Sequence, residues 1–175
     1  MRIFTFMRPL YNLGRCSVAD EPRLLRYRRR KPMAKSIFYH LFGFGKIPKR
    51  YRSDIDKEGV ILQEEGLPIV VRYRNFRAPY VYYGRKISLV IGSVVLTKTS
   101  FACFRGNIIP PVFHVAVAHE SFKAFEFSLD EKARLRVVID APAFQEGWKG
   151  TIDCRIPCEN AGNFLRALTI VKQTA

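Results

Sequence analysis

The sequence predicts a mainly β domain with a C-terminal α-helix: a small antiparallel barrel or sandwich capped by the helix and preceded by short N-terminal helices. From residue 67 to residue 156, apolar residues recur in short runs with the two-residue period of a strand. Glycine, proline and charged residues separate these runs. The last helical stripe lies at the end of the chain, so the strands are expected to pair antiparallel rather than alternate with helices.

Length and composition limit the function classes. A chain of 175 residues suits one domain, or one domain with a tail. Its 48% of hydrophobic residues can form a core, and no run of 18 apolar residues predicts a spanning helix. Lys and Arg number 30 against 15 acidic residues, a net charge of +15. The surface is therefore expected to favour anionic partners.

Residues 1–32 differ from the rest of the chain. They hold nine basic and two acidic residues, a net charge of +7, and Met33 then opens an ordinary-looking start. We interpret this segment as a disordered tail or a misplaced gene start. An Arg-rich targeting peptide is the less favoured alternative, because Asp20, Glu21 and the lack of an amphipathic pattern argue against it.

Residues 33–66 predict a helical extension. Within 36–46, four apolar residues share one helical face, namely Ile37, Phe38, Leu41 and Phe42. This face is expected to pack on the domain, and an interfacial membrane segment is the alternative. A second short helix is predicted over 48–58, starting at Pro48 and ending at Gly59.

The β region begins at Leu67. Val70, Arg72, Arg74 and Phe76 share one face of a strand that Pro79 ends, and residues 80–91 form a second run. Further strands are expected at 93–97, 100–104, 112–117, 122–129, 135–140 and 151–156. Residues 130–133 predict the hairpin turn between two of them.

The final helix completes the predicted domain, which spans residues 67–172. Asn160 is the predicted cap. The helix presents one apolar stripe, formed by Phe164, Leu165, Leu168 and Val171.

This order of strands and helix resembles the pleckstrin-homology-like (PH-like) superfold. Residues 92–104, GSVVLTKTSFACF, look like the GRAM-type and bacterial PH-like pattern of a glycine, an apolar strand, a Leu-Thr pair, a short turn and an aromatic strand. Residues 161–168 are similar to the helix that plugs the open barrel end in that family. The chain also resembles uncharacterised bacterial proteins with such a domain.

The resemblance implies a binding module with a basic first hairpin. In the lipid-binding branch, Lys and Arg of this hairpin grip inositol phosphates. The comparable residues here are Arg72, Arg74, Arg77, Arg85 and Lys86. Their spacing departs from the usual family pattern, so the resemblance implies a basic face rather than a particular headgroup.

The residues themselves also point to this hairpin. Arg72 and Arg74 lie on the same side of a strand about 7 Å apart, and the planar fork of arginine suits phosphate. The predicted ligand-binding set is Arg72, Arg74, Arg77, Arg85, Lys86 and Tyr83. The alternative is a solvated strand face whose arginines prevent edge-to-edge aggregation.

Catalysis is not predicted, because the chain has no GxSxG, HExxH or phosphate-binding glycine loop. His114 and His119 are expected on opposite sides of a strand. The four cysteines are interpreted as reduced thiols of a cytosolic protein, with no metal or cofactor. Trp148 is expected to cover a barrel end.

The function predicted from the sequence is a non-enzymatic module, cytoplasmic or peripheral to a membrane, that binds an acidic protein or an anionic lipid surface. Nucleic acid is a less favoured partner, since no helix-turn-helix, RNP, KH or zinc-finger signature occurs. The remaining alternatives are a homo-oligomeric assembly domain and a small enzyme that uses His114 or His119.

Overall fold

The computed structural model describes residue 39, residues 43–106 and residues 108–174, with the backbone alone at 108 and 109. The predictions for residues 1–32 lie outside this part of the chain, as does most of the predicted helix over 36–46. The elements between residues 49 and 174 are, in order, α1 (Lys49–Glu58), β1 (Val60–Ala78), β2 (Val81–Thr97), β3 (Ser100–Arg105), β4 (Ile108–Ala116), α2 (Glu120–Lys123), β5 (Phe125–Leu129), β6 (Leu135–Asp140), α3 (Ala141–Phe144), β7 (Lys149–Ile156) and α4 (Ala161–Thr174).

Seven strands form one antiparallel sheet in the order β4-β3-β2-β1-β7-β6-β5. The sheet curls into a half-barrel, and α4 is the C-terminal helix. Strands that are consecutive in the chain pair directly, except for β4 and β5, which form the two edges of the sheet. The pairing of β1 with β7 links the two halves. The predicted fold class is confirmed in this form: mainly β, antiparallel, with a C-terminal helix.

The first strand starts earlier than predicted. Residues 60–66 were assigned to the N-terminal extension and the β region was expected from Leu67, but α1 ends at Glu58 and β1 begins at Val60. This part of the strand lacks the apolar alternation by which a strand is predicted, because Glu64 and Glu65 interrupt it. Both carboxylates accept hydrogen bonds from backbone N–H groups of other segments. Gly66, with a φ of 76°, follows them where the register with β2 shifts.

A single strand, β2, replaces the two that were predicted at 80–91 and 93–97. Gly92 was expected to punctuate them, yet it lies inside the strand. A Cβ at Gly92 would come within 2.0 Å of the Phe104 carbonyl oxygen. The glycine therefore permits a close backbone approach between β2 and β3.

Two other boundaries differ from the prediction. The strand expected over 122–129 begins at Phe125, because the short helix α2 precedes it. Pro110 and Pro111 lie within β4, an edge strand of the sheet. An edge position tolerates the missing backbone donor of proline.

The main core lies between the sheet and α4. Its largest fully buried side chains include Ile69, Leu96, Phe101, Phe113, Phe125, Phe164 and Leu168. Phe164 and Leu168 belong to the predicted helical stripe, and Leu165 and Val171 pack against the core half-buried. The Glu64 carboxylate of β1 accepts hydrogen bonds from the backbone N–H groups of Glu159 and Asn160, at 2.9 and 2.8 Å. An anion at this helix start is favourable.

A smaller core covers part of the opposite, outer face of the sheet. Ile47 and Ile55 bury Val95, Ala102 and Phe104 there. Glu58 anchors α1 to the β2–β3 turn, since its Oε2 accepts hydrogen bonds from Thr97 Oγ1 and Ser100 Oγ, both at 2.6 Å. The helix thus covers the outer face beside β3. Nearer the β1–β2 turn, Ile87 and Leu89 of β2 are exposed on the same face.

Asp130 organises the β5–β6 turn. Its Oδ1 accepts hydrogen bonds from the backbone N–H groups of Lys132 and Arg134, at 2.9 and 3.0 Å, and its Oδ2 accepts one from Arg134 Nε at 2.7 Å. Burial by itself raises the pKa of Asp130, but these hydrogen bonds outweigh it and lower the pKa to about 2. The ionised carboxylate is therefore favoured in the folded state.

We expect Asp130→Asn to lower the free energy of unfolding by about 2 kcal/mol at neutral pH. Because the folded-state pKa lies below the unfolded value, this stabilisation is complete above the unfolded pKa and is lost as pH falls through the folded one. The difference from wild type should fall by roughly half at about pH 3. Urea unfolding at several pH values measures it, with Glu131→Gln as the control. A difference that does not change with pH would contradict this assignment.

Candidate functional site

The register of the β1–β2 hairpin brings three of the predicted arginines onto one face. Arg74 lies directly opposite Arg85, and Arg72 lies opposite Ile87. Residues that pair in an antiparallel sheet share a face. The two-residue period adds Leu89, so arginines and exposed apolar side chains share the outer face of the sheet.

The pairing of Arg74 with Arg85 places like charges directly opposite each other, which destabilises a sheet. Among the described residues, no carboxylate lies within 4.0 Å of either guanidinium. The alternative of edge protection does not suit Arg74, because β1 is paired on both sides there. It does suit Arg85, because among the described strands this part of β2 pairs only with β1. The hairpin therefore holds two cations that are free to meet an external anion.

Four of the six predicted site residues line one hollow of about 350 Å³. They are Arg72, Arg74, Arg85 and Lys86, joined by Tyr73, Asn75, Gly84 and Ile87. A hollow of this size suits a small headgroup. We call it the hairpin hollow.

The other two predicted residues lie outside this lining. The ring of Tyr83 packs against Tyr73 and Phe76, with ring centroids 5.3 and 6.2 Å apart. The Lys86 ammonium lies 4.0 Å from the centroid of the Tyr83 ring. Tyr83 thus acts mainly through packing and by holding Lys86 in a cation–π contact.

Arg77 lies nearer the tip of the hairpin. It follows Asn75, whose φ of 49° is in the left-handed region. Its guanidinium lies 5.4 Å from the centroid of the Tyr82 ring. Arg77 is therefore a tip residue rather than a member of the hairpin hollow.

The hairpin tip is apolar and exposed. Tyr80 is fully exposed, Tyr82 is 62% exposed, and Ile87 and Leu89 further along β2 are 56% and 72% exposed. Sequence reasoning selected Tyr83 from this region but missed Ile87 and Leu89 as surface residues. Their alternation with Arg85 was visible in the sequence, but only the register with β1 places them beside Arg72 and Arg74.

The expectation for the two histidines was wrong. His114 and His119 line one shallow hollow of about 300 Å³, together with Ser121 and Phe144, instead of lying on opposite sides of a strand. The reason is that β4 ends at Ala116 and the chain turns into α2. His119 is the N-cap of that helix, and its Nδ1 accepts a hydrogen bond from the Ser121 backbone N–H at 3.1 Å.

The described cysteines are not poised as nucleophiles. Cys103, Cys154 and Cys158 are free and buried. Burial raises the pKa of all three thiols, that of Cys154 to about 12. Within the described ranges, no group of three or more His, Cys, Asp or Glu residues is placed to hold a metal ion.

Trp148 packs on the core beside Phe76, and its predicted position over a barrel end stays a prediction. Its indole meets the Phe76 ring edge-on, with centroids 5.4 Å apart, and also contacts Phe144. It is half-buried against the main core. Tyr80 and Tyr82 of the hairpin are therefore more exposed than Trp148.

None of the helices in the described part of the chain is both long and apolar enough to cross a membrane. Comparisons with protein-family models and with curated proteins found no match. The argument for function therefore rests on the geometry and chemistry of the hairpin.

Proposed function

We propose that the chain is a PH-like binding module whose β1–β2 hairpin binds an anionic membrane surface. One observation carries the proposal. The uncompensated pair Arg74 and Arg85 shares a face with the exposed side chains of Ile87 and Leu89. Cations beside exposed apolar groups are the combination that a lipid interface accommodates.

The sheet order and the C-terminal helix support the PH-like part of the proposal. A meander of β1 to β4 and a second meander of β5 to β7 meet where β1 pairs with β7. A fold of this kind hosts many functions, so the hairpin has to carry the argument about the ligand.

The arginines supply the electrostatic part of the binding. A cationic side chain close to an anionic bilayer contributes about 1 kcal/mol, and the attraction weakens as salt screens it. Arginine also binds lipid phosphates through two parallel hydrogen bonds. Arg74 and Arg85 are suited to both roles because no described carboxylate competes for them.

The apolar side chains distinguish a membrane from an acidic protein segment in this proposal. Tyr80 and Tyr82 at the tip have the amphipathic rings that favour the headgroup region. Ile87 and Leu89 add aliphatic surface that gains free energy when it leaves water. Binding to a purely acidic partner would depend on the arginines and would not need this aliphatic surface.

We predict that Arg74→Gln/Arg85→Gln weakens binding to phosphatidylcholine vesicles containing phosphatidylserine about 30-fold at low salt. Vesicle sedimentation of the full chain measures the affinity. The matched control is Arg28→Gln/Arg29→Gln, which removes the same charge from residues 1–32. If both double variants lose affinity equally, net charge rather than the hairpin accounts for binding, and the proposal fails.

A second variant tests the apolar contribution. We expect Ile87→Thr/Leu89→Thr to weaken vesicle binding about 10-fold at moderate salt, because two exposed aliphatic side chains no longer enter the interface. Threonine keeps the strand preference. The control is Val60→Thr/Ile61→Thr, which alters a similarly exposed apolar pair at the other end of β1.

Polyglutamate provides the opposing test. If the full chain binds polyglutamate through Arg74 and Arg85 while Ile87→Thr/Leu89→Thr leaves vesicle binding unchanged, the partner is an acidic polypeptide and the membrane proposal is wrong.

A further inference from the structure

A second group of arginines lies on the same outer face, where β1, β7 and β6 approach the β5–β6 turn. Arg72 on β1 is opposite Asp153 on β7, and Arg155 on β7 is opposite Arg136 on β6. A hollow of about 450 Å³ is lined by Arg72, Arg134, Arg136, Arg155 and residues 129–132 of the turn. We call it the arginine hollow.

Two carboxylates neutralise only part of this positive charge. Arg134 pairs with Asp130 at 2.5 Å. Arg136 donates to both oxygens of the buried Asp153, from Nε at 3.2 Å and from Nη2 at 3.1 Å. This hydrogen bonding raises the pKa of Arg136, so it keeps its charge.

The other two arginines are less well matched. Arg155 reaches Asp153 only at 3.7 Å and Asp130 only at 4.0 Å. Arg72 forms no ion pair with any described carboxylate. Glu131 and Lys132 of the turn cancel in charge, so among the lining residues and Asp153 the four guanidiniums exceed the two remaining carboxylates by two positive charges. Glu126 on β5 acts on Arg136 from outside the lining.

The arginines also have more hydrogen-bond donors than the described acceptors satisfy. The Nε atoms of Arg72 and Arg155 are buried, and neither has a hydrogen-bond acceptor among the described residues. A buried donor without an acceptor costs about 1–3 kcal/mol. Both donors belong to residues that line the arginine hollow, so the described protein groups leave the guanidiniums of Arg72 and Arg155 incompletely hydrogen-bonded.

We propose that the arginine hollow binds a phosphomonoester group. Such a group carries close to two negative charges, which matches the excess, and its three terminal oxygens suit the guanidinium forks of Arg72 and Arg155. The hollow is larger than a phosphate, so it has room for a small polar body that carries the group. A soluble organic phosphate and a lipid headgroup share this chemistry.

This inference deepens the proposed function and rests on it only where the phosphate belongs to a lipid. Arg72 lines both the hairpin hollow and the arginine hollow, which places the two on one continuous surface. A lipid phosphomonoester bound there would add headgroup preference to the general attraction of the hairpin for an anionic surface.

The test is calorimetric titration of the full chain with glycerol 3-phosphate. We expect binding to wild type, at least 10-fold weaker binding to Arg72→Gln, and unchanged binding to Arg166→Gln, which removes an exposed arginine from α4. Glycerophosphocholine, a diester, should bind at least 10-fold more weakly than the monoester. Arg155→Gln, which alters the arginine hollow but not the hairpin hollow, should weaken binding by a similar factor. Arg155→Lys, which keeps the charge but loses the guanidinium fork, replaces it if Arg155→Gln does not fold. Binding that is lost in Arg72→Gln but kept in the Arg155 variant would place the phosphate in the hairpin hollow and overturn the proposal.

Vesicles identify the source of the phosphate. If the chain prefers vesicles with phosphatidic acid over vesicles with phosphatidylserine, and Arg72→Gln loses this preference, the phosphate belongs to a lipid headgroup. If the chain binds glycerol 3-phosphate but shows no such preference, the ligand is a free organic phosphate. Both outcomes support the site. No binding of glycerol 3-phosphate to wild type, or equal binding to Arg72→Gln, overturns it. Because the titration contains no membrane, its failure is distinguishable from failure of the hairpin to bind vesicles.

Discussion

The pairing of β1 with both β2 and β7 is the constraint on which the rest of the structure depends. β1 is 19 residues long, and its pairing with β2 runs from Val60 to Ala78. Its pairing with β7 joins the two meanders into one curled sheet. The same strand supplies Glu64, which binds the start of α4, and Glu65, which accepts a hydrogen bond from the Ile47 backbone N–H at 3.1 Å. The central strand thus connects the core, the segment before α1, the start of α4 and the basic face.

This constraint also explains why the outer face is divided. Ile55 of α1 helps to cover the face beside β3, whereas the adjoining region across β2 and β1 carries Arg74, Arg85 and the exposed side chain of Leu89. Pairing in register forces the two arginines together, which costs stability. In the proposed function, the anionic surface would relieve this repulsion by binding both guanidiniums. Across β7, Asp153 is already bound by Arg136, so it does not relieve this concentration of charge.

Local patterns in the sequence predicted the elements whose apolar period is uninterrupted. The strand at 135–140, the final helical stripe and the turn at 130–133 could be predicted because each depends on residues that are close together in the sequence. The start of β1 was missed because its polar residues serve distant partners, and Gly92 was misjudged because its role depends on the Phe104 backbone. The arrangement of the candidate site was predicted only in part. Which residues oppose one another is a property of the register, and the arginine hollow unites strands that are far apart in the chain.

The most direct test of the central claim is hydrogen exchange of the full chain with and without vesicles that contain phosphatidylserine. The account predicts that vesicles slow exchange of backbone amides in the distal hairpin, residues 72–89, while amides of α4 and of the β3–β4 hairpin keep their rates. Slowing confined to residues before 60, or spread evenly along the chain, would contradict it, because the membrane would then be bound by another segment or by net charge alone.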